Sequence, residues 1–137
     1  MSKYGDGGNR WKLATGPDAA FRLLKDNRIA AHLHLAEGYV SRAFCIKPCE
    51  FYAATRGKQH VAEARQLVMY LAHVELGMPL SEIGRRYCRD RSTASYACRA
   101  TEERRDDPKF DEIVCEIETL VSLRNDSILE CLKGRWR

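Results

Sequence analysis

The stretch Val61–Leu76 does most to narrow the folds open to this chain. Ala64, Leu67, Val68, Leu71, Ala72 and Leu76 recur at the spacing of one helix face, and Gly77 follows where a helix end favours a left-handed residue. On a strand, side chains alternate between two faces, so this pattern would scatter its apolar groups over both. No segment shows sustained strand alternation, and there is no internal repeat. The expected fold class is therefore all-α, a compact multi-helix domain.

The rest of the chain supplies helices for Val61–Leu76 to pack against. Gly16-Pro17-Asp18 reads as a helix start. Apolar residues from Phe21 and Leu24 through Ile29, Leu33 and Leu35 to Tyr39, Val40 and Phe44 continue it as one long helix or two abutting ones. A break is expected near Asp26-Asn27, and Pro48 ends the region. A short helical turn over Cys49–Ala54 and a basic linker, Thr55–His60, follow. Ser81 is the expected N-cap of a short helix reaching Tyr87, with Ile83 and Tyr87 facing inward. Asp90 is the expected N-cap of a helix over Arg91–Arg104, lined on one side by Ala94, Ala97, Cys98 and Thr101. Asp107-Pro108 opens the last long helix. Its expected buried stripe is Phe110, Ile113, Val114, Ile117, Leu120 and Val121, with an interruption at Asn125-Asp126. This divides the chain into a flexible arm over 1–16, a folded domain over 17–124 and a helical, basic tail over 125–137.

Composition agrees with one folded domain: 137 residues, 45% apolar and 31% charged. No apolar run approaches membrane-spanning length, and the N-terminal residues lack the apolar core of a secretory signal. The expectation is a cytoplasmic protein associated with the nucleoid, with no membrane partner. In that compartment the six cysteines are expected to be free thiols, with Cys98 and Cys115 acting as small buried hydrophobes. Cys45, Cys49 and His60 could be weighed as a zinc set, but the paired C-x-x-C spacing is missing, so neither metal nor cofactor is expected. There is no phosphate-binding G-x-x-x-x-G-K-S/T run, carboxylate pair or Cys-His nucleophile, so no catalytic residues are assigned.

Charge is where the chain becomes specific. Between Arg85 and Arg105 seven arginines face three acids, a surplus equal to the net +4 of the whole chain. None of the seven is Lys, and the planar guanidinium fork suits phosphate and guanine. A short helix, a tight turn and a second helix opening with Arg, Ser and Thr follow helix-turn-helix grammar. In that frame Arg85, Arg86 and Arg89 are expected to meet phosphates, while Arg91, Ser92, Thr93 and Ser95 are placed to reach base edges. Arg65 and Arg99 complete the set of expected cationic contacts, and Tyr96 is open between DNA and the scaffold.

The same stretch closely resembles a known family. Val61–Arg99 is similar to the C-terminal DNA-binding domain of DnaA, the bacterial replication initiator, through Arg65-Gln66, Leu71-Ala72, Glu82-Ile83-Gly84, Arg89-Asp90, Ser92-Thr93 and Ala97-Cys98-Arg99. The resemblance continues more loosely from about Ile29 to about Leu123. It implies a recognition helix in the major groove of double-stranded DNA and a basic loop in the adjacent minor groove. Asp90, Ser92 and Thr93 fall on contacting positions of the family signature, and Arg56 and Lys58 flank Gly57, where the minor-groove arginine is expected. Two departures stand out. Arg91 replaces the family's histidine, and Cys88 stands in place of a glycine pair in a turn one residue shorter. The resulting expectation is a stand-alone DNA-binding protein acting as a bacterial or phage-type transcription regulator. The alternative is a regulator of replication that occupies initiator sites at the origin. Help from RNA polymerase or a second regulatory subunit is expected through the apolar tail Ile128–Leu132.

Overall fold

The computed structural model describes residues 16–128 and 130–131, and among these every regular element is helical. Five α-helices follow in order: α1 (Gly16–Phe44), α2 (Gln59–Val74), α3 (Leu80–Arg86), α4 (Arg91–Arg104) and α5 (Pro108–Val121). Short 3-10 helices over Pro48–Tyr52 and Leu123–Asn125 turn the chain between them. The arm over 1–15 and the tail beyond Cys131 lie outside the described residues.

α2 is the centre of the fold. From Leu67 to Ala72 every side chain is buried, so the helix is apolar around its whole circumference here rather than along one stripe. The reason is tertiary: α1 covers it on one side with Leu33, Ala36 and Val40, and α4 covers it on another with Ala94 and Ala97. The small residues on α4 allow a close approach to α2. Each fully buried leucine contributes about 1.5–3 kcal/mol relative to exposure. Gly77 ends the helix region with φ +70°, donating its N–H to the His73 carbonyl at 3.2 Å.

Several local expectations are corrected by packing. α1 runs unbroken through Asp26-Asn27 as a 29-residue helix. The N-cap of α3 is Pro79 rather than Ser81, because the extended backbone of Pro79 already directs its carbonyl to the N–H groups of Glu82 and Ile83. In α5 only Val114, Ile117 and Val121 are buried, whereas Ile113 is 45% exposed and Leu120 50%. α5 meets the domain chiefly through α1, and one neighbour covers only a narrow stripe. Cys98 is half-buried and Cys115 exposed. Asp107-Pro108 opens α5 as the sequence suggests, with the Asp107 carboxylate accepting from the Lys109 N–H at 3.1 Å.

The chain beyond α5 is drawn back onto α1. The Asp126 carboxylate, buried, lies 2.7 Å from Nε of Arg28 and 2.8 Å from Nε2 of His32. Nδ1 of His32 meets the Val121 carbonyl at 2.7 Å. α5 stops at Val121, ahead of the expected break at Asn125-Asp126, and the 3-10 turn Leu123–Asn125 lies between. No described helix is long and apolar enough to cross a membrane.

Candidate nucleic-acid interface

The turn between α3 and α4 depends on one glycine. A Cβ on Gly84 would lie 2.6 Å from the Arg89 carbonyl oxygen, a distance at which backbone must move. In its absence the Arg89 N–H reaches the Gly84 carbonyl at 2.7 Å, and the chain reverses tightly from α3 into α4. The Glu82-Ile83-Gly84 motif is thereby explained: Ile83 is buried below, and Gly84 accepts the returning chain above. Cys88 completes the turn with φ +56°, in the left-handed region where a side chain is strained and glycine is at ease.

The turn presents the N-terminal end of α4 to solvent. Arg91, Ser92 and Thr93 are exposed, Ser95 is half-buried, and Arg99 is exposed two turns along the helix. Asp90 occupies the N-cap position, but its carboxylate accepts no bond from the first turn, and that turn contains no acid. The N–H groups of the first turn and the positive end of the helix dipole are thus left available to an anion. Tyr96, 56% exposed, stands on this open side of the helix and not against the scaffold.

The seven arginines of the basic run separate into distinct environments. Arg85, Arg91 and Arg99 are exposed, and no described carboxylate lies within ion-pair distance of any of them. Arg86 turns inward. Its Nη2 lies 3.5 Å from the Glu37 carboxylate and 3.0 Å from the Tyr52 hydroxyl, and the guanidinium sits 5.8 Å from the ring centres of both Tyr52 and Tyr87. Glu37, 2% exposed, also accepts the hydroxyls of Tyr52 and Tyr87, the latter at 2.7 Å. Burial, reinforced by the Glu37 carboxylate, pushes the Tyr52 hydroxyl up to about 12 and the Tyr87 hydroxyl well above the tyrosine range. Arg104 pairs with Glu63 at 3.5 Å and lies 4.1 Å over Phe110. Arg105 joins Asp111 at 2.6 Å and Glu118 at 3.1 Å, which raises its basicity although burial alone would lower it.

Arg89 and Arg65 both bond to backbone carbonyls. Arg89 donates from Nη1 to the carbonyls of Tyr87 and Cys88, and from Nη2 to those of Ala53 and Thr55 at 3.0 Å each. Arg65, 4% exposed on α2, donates to the carbonyls of Glu50, Phe51 and Arg56. Burial, and then the nearby charges of Arg89 and Arg56, lower its basicity. Between these two guanidiniums runs the irregular segment 53–58, which presents Arg56 and Lys58 to solvent around Gly57 at φ +75°. Arg65 thus stands behind the loop with its donors turned to backbone. Arg56, Lys58, Arg85, Arg91, Ser92, Thr93 and Arg99 carry the exposed polar groups.

Sequence reasoning missed Glu37 and Tyr52. Glu37 lies 49 residues before Arg86, and nothing near it in the chain marks it as a buried carboxylate. A glutamate followed directly by Gly38 and Tyr39 on a long helix is an ordinary pattern, so no local signal existed. Among the described residues no group of three or more His, Cys, Asp or Glu side chains could hold a metal ion.

Residues 37–100 match the family model described as the bacterial dnaA protein helix-turn-helix. No curated protein and no solved structure matches the chain. The matched span opens at Glu37, the carboxylate under the turn, and closes at Ala100 on α4; it takes in the clasped loop, α2 and α3 and leaves α5 outside. Segment 37–100 is thus similar to the bacterial dnaA helix-turn-helix, and that similarity supports DNA binding.

Proposed function

We propose that the chain is a sequence-specific double-stranded DNA-binding protein that regulates transcription, with α4 in the major groove and the 53–58 loop in the minor groove beside it. The observation that carries this reading is the N-terminal end of α4. There an uncapped helix start, Arg91, Ser92 and Thr93 are all turned to solvent on a turn rigidly set by Gly84. Arg91 would fork onto guanine, Thr93 would offer a methyl to thymine, and Asp90 would accept from a cytosine amine. Arg85 and Arg99 would meet phosphates on either side. Arg56 and Lys58 would enter the minor groove, which attracts cations where it is narrow.

In this reading residues 17–124 form the DNA-binding unit, the arm lies before it, and the tail over 125–137 supplies a contact to RNA polymerase or a second regulatory subunit. The protein would act on the nucleoid in the cytoplasm and would perform no catalysis. Arg91 in the position of the family's histidine supports a transcriptional role, because an altered reading residue weakens competition for standard initiator sites. The family match itself favours a second reading, in which the chain occupies initiator sites at the origin and controls replication.

Genome-wide occupancy mapping separates the two. Peaks at promoters, with a selected motif that differs from the standard initiator site, are the expected result. Peaks confined to the origin establish the second reading, and an absence of sequence-dependent peaks removes both.

A further inference from the structure

We infer that Arg89 is a positioning residue: it locks the 53–58 loop in register with the recognition helix, so that the two DNA-reading parts act as one unit. The inference rests on the proposed DNA-binding reading and gives Arg89 a role other than the phosphate contact suggested by its place in the basic run.

The geometry is unusual for a groove-facing cation. Four of the five N–H donors an arginine possesses are directed at backbone carbonyls, two on its own turn and two on the loop more than thirty residues earlier in the chain. One nitrogen, Nη2, holds both Ala53 and Thr55 at 3.0 Å. The planar fork fixes the angle between the turn carbonyls and the loop carbonyls, which a point charge on a flexible stem could not do. No described carboxylate lies within ion-pair distance of Arg89, so the carbonyl dipoles are its partners.

The loop has a clear need for such a clamp. Residues 53–58 belong to no helix, and their shape is not set by a backbone hydrogen-bond ladder. Arg65 fixes the loop to α2 through the Glu50, Phe51 and Arg56 carbonyls, and Arg89 fixes it to the turn that aims α4. Arg56 therefore emerges from a segment held between the two guanidiniums. The distance from Arg56 to Arg91 is set by Arg89 and not by the length of the intervening chain. For a protein reading two grooves, this spacing decides which phasing of the two half-motifs is accepted.

The test uses the full chain and a randomised duplex library, from which the wild type selects its preferred motif. Arg89→Lys retains the positive charge but cannot span four carbonyls. Backbone order parameters of residues 54–58 in the free Arg89→Lys variant are expected to fall from the rigid range, about 0.85, to below about 0.6. Its selected motif is expected to lose the half read by the loop while keeping the half read by α4. A phosphate contact would be largely preserved by lysine, so recovery of the complete motif by Arg89→Lys overturns the inference, as do unchanged loop order parameters. If the substitution prevents folding, a glycine inserted after Ala54 leaves Arg89 intact and displaces Thr55; loss of the loop half is again expected, and a complete motif overturns the inference. If wild type selects no motif, the DNA-binding reading fails, while the order parameters still decide whether Arg89 clamps the loop.

Discussion

The two ends of α4 carry the same residue type to opposite ends. At its N-terminus Arg91 stands exposed beside Ser92 and Thr93, with no acid in the first turn and no side-chain cap on the helix. At its C-terminus Arg104 and Arg105 are covered by Glu63, Phe110, Asp111, Glu118 and the Tyr70 hydroxyl. The cover comes from side chains on α2 and α5. An arginine cluster in a sequence is thus two populations: one whose charge is spent on holding the domain together and one whose charge is left for a partner. The start of α5 shows the same contrast in miniature, because Asp107 caps its helix with a carboxylate where Asp90 does not.

The sharpest way to break this contrast is to destroy the turn that sets the open end forward. Gly84→Ala places a Cβ within 2.6 Å of the Arg89 carbonyl, and a loss of about 2–4 kcal/mol of stability is expected in urea unfolding, with DNA affinity lost alongside. Arg105→Met probes the closed end. It strands Asp111 and Glu118, so unfolding should be easier by about 2 kcal/mol, while the affinity of the folded fraction for its selected duplex stays at the wild-type value. Arg91→Ala probes the open end and should show the reverse. Affinity should fall by about 1–3 kcal/mol with one base of the motif relaxed, and the unfolding midpoint should barely move. If Arg105→Met weakens binding as much as Arg91→Ala, the division between the two ends does not hold.

The smallest effect concerns the turn itself. Cys88→Gly should relieve the strain of φ +56° and, after the added freedom of the unfolded chain is subtracted, stabilise by about 0.5–1 kcal/mol. A thermal melt reads this directly, and a lower midpoint would show that the Cys88 side chain makes a favourable contact.

Much of this architecture was legible in the residues. The 3.6 spacing of Val61–Leu76 marked the central helix, Gly77 its end and Asp107-Pro108 the start of α5, since each signal is a local steric or hydrogen-bonding constraint. Stripe width was not legible. Ile113 and Leu120 fit the apolar period of α5 as well as Val114 and Val121 do, yet how much of a helix is buried depends on how many neighbours cover it.

The candidate interface divides along the same line. By itself the sequence determined that a short helix, a tight turn and a second helix would place arginines and hydroxyls around a helix start, because capping, glycine sterics and periodicity act over a few residues. Only the tertiary structure decided which arginines face outward. Glu37 claims Arg86 from 49 residues away, the Ala53 and Thr55 carbonyls claim Arg89, and Glu118 on α5 claims Arg105. A charge is committed or left available according to the partners that folding brings within about 3 Å, and those partners lie on other helices.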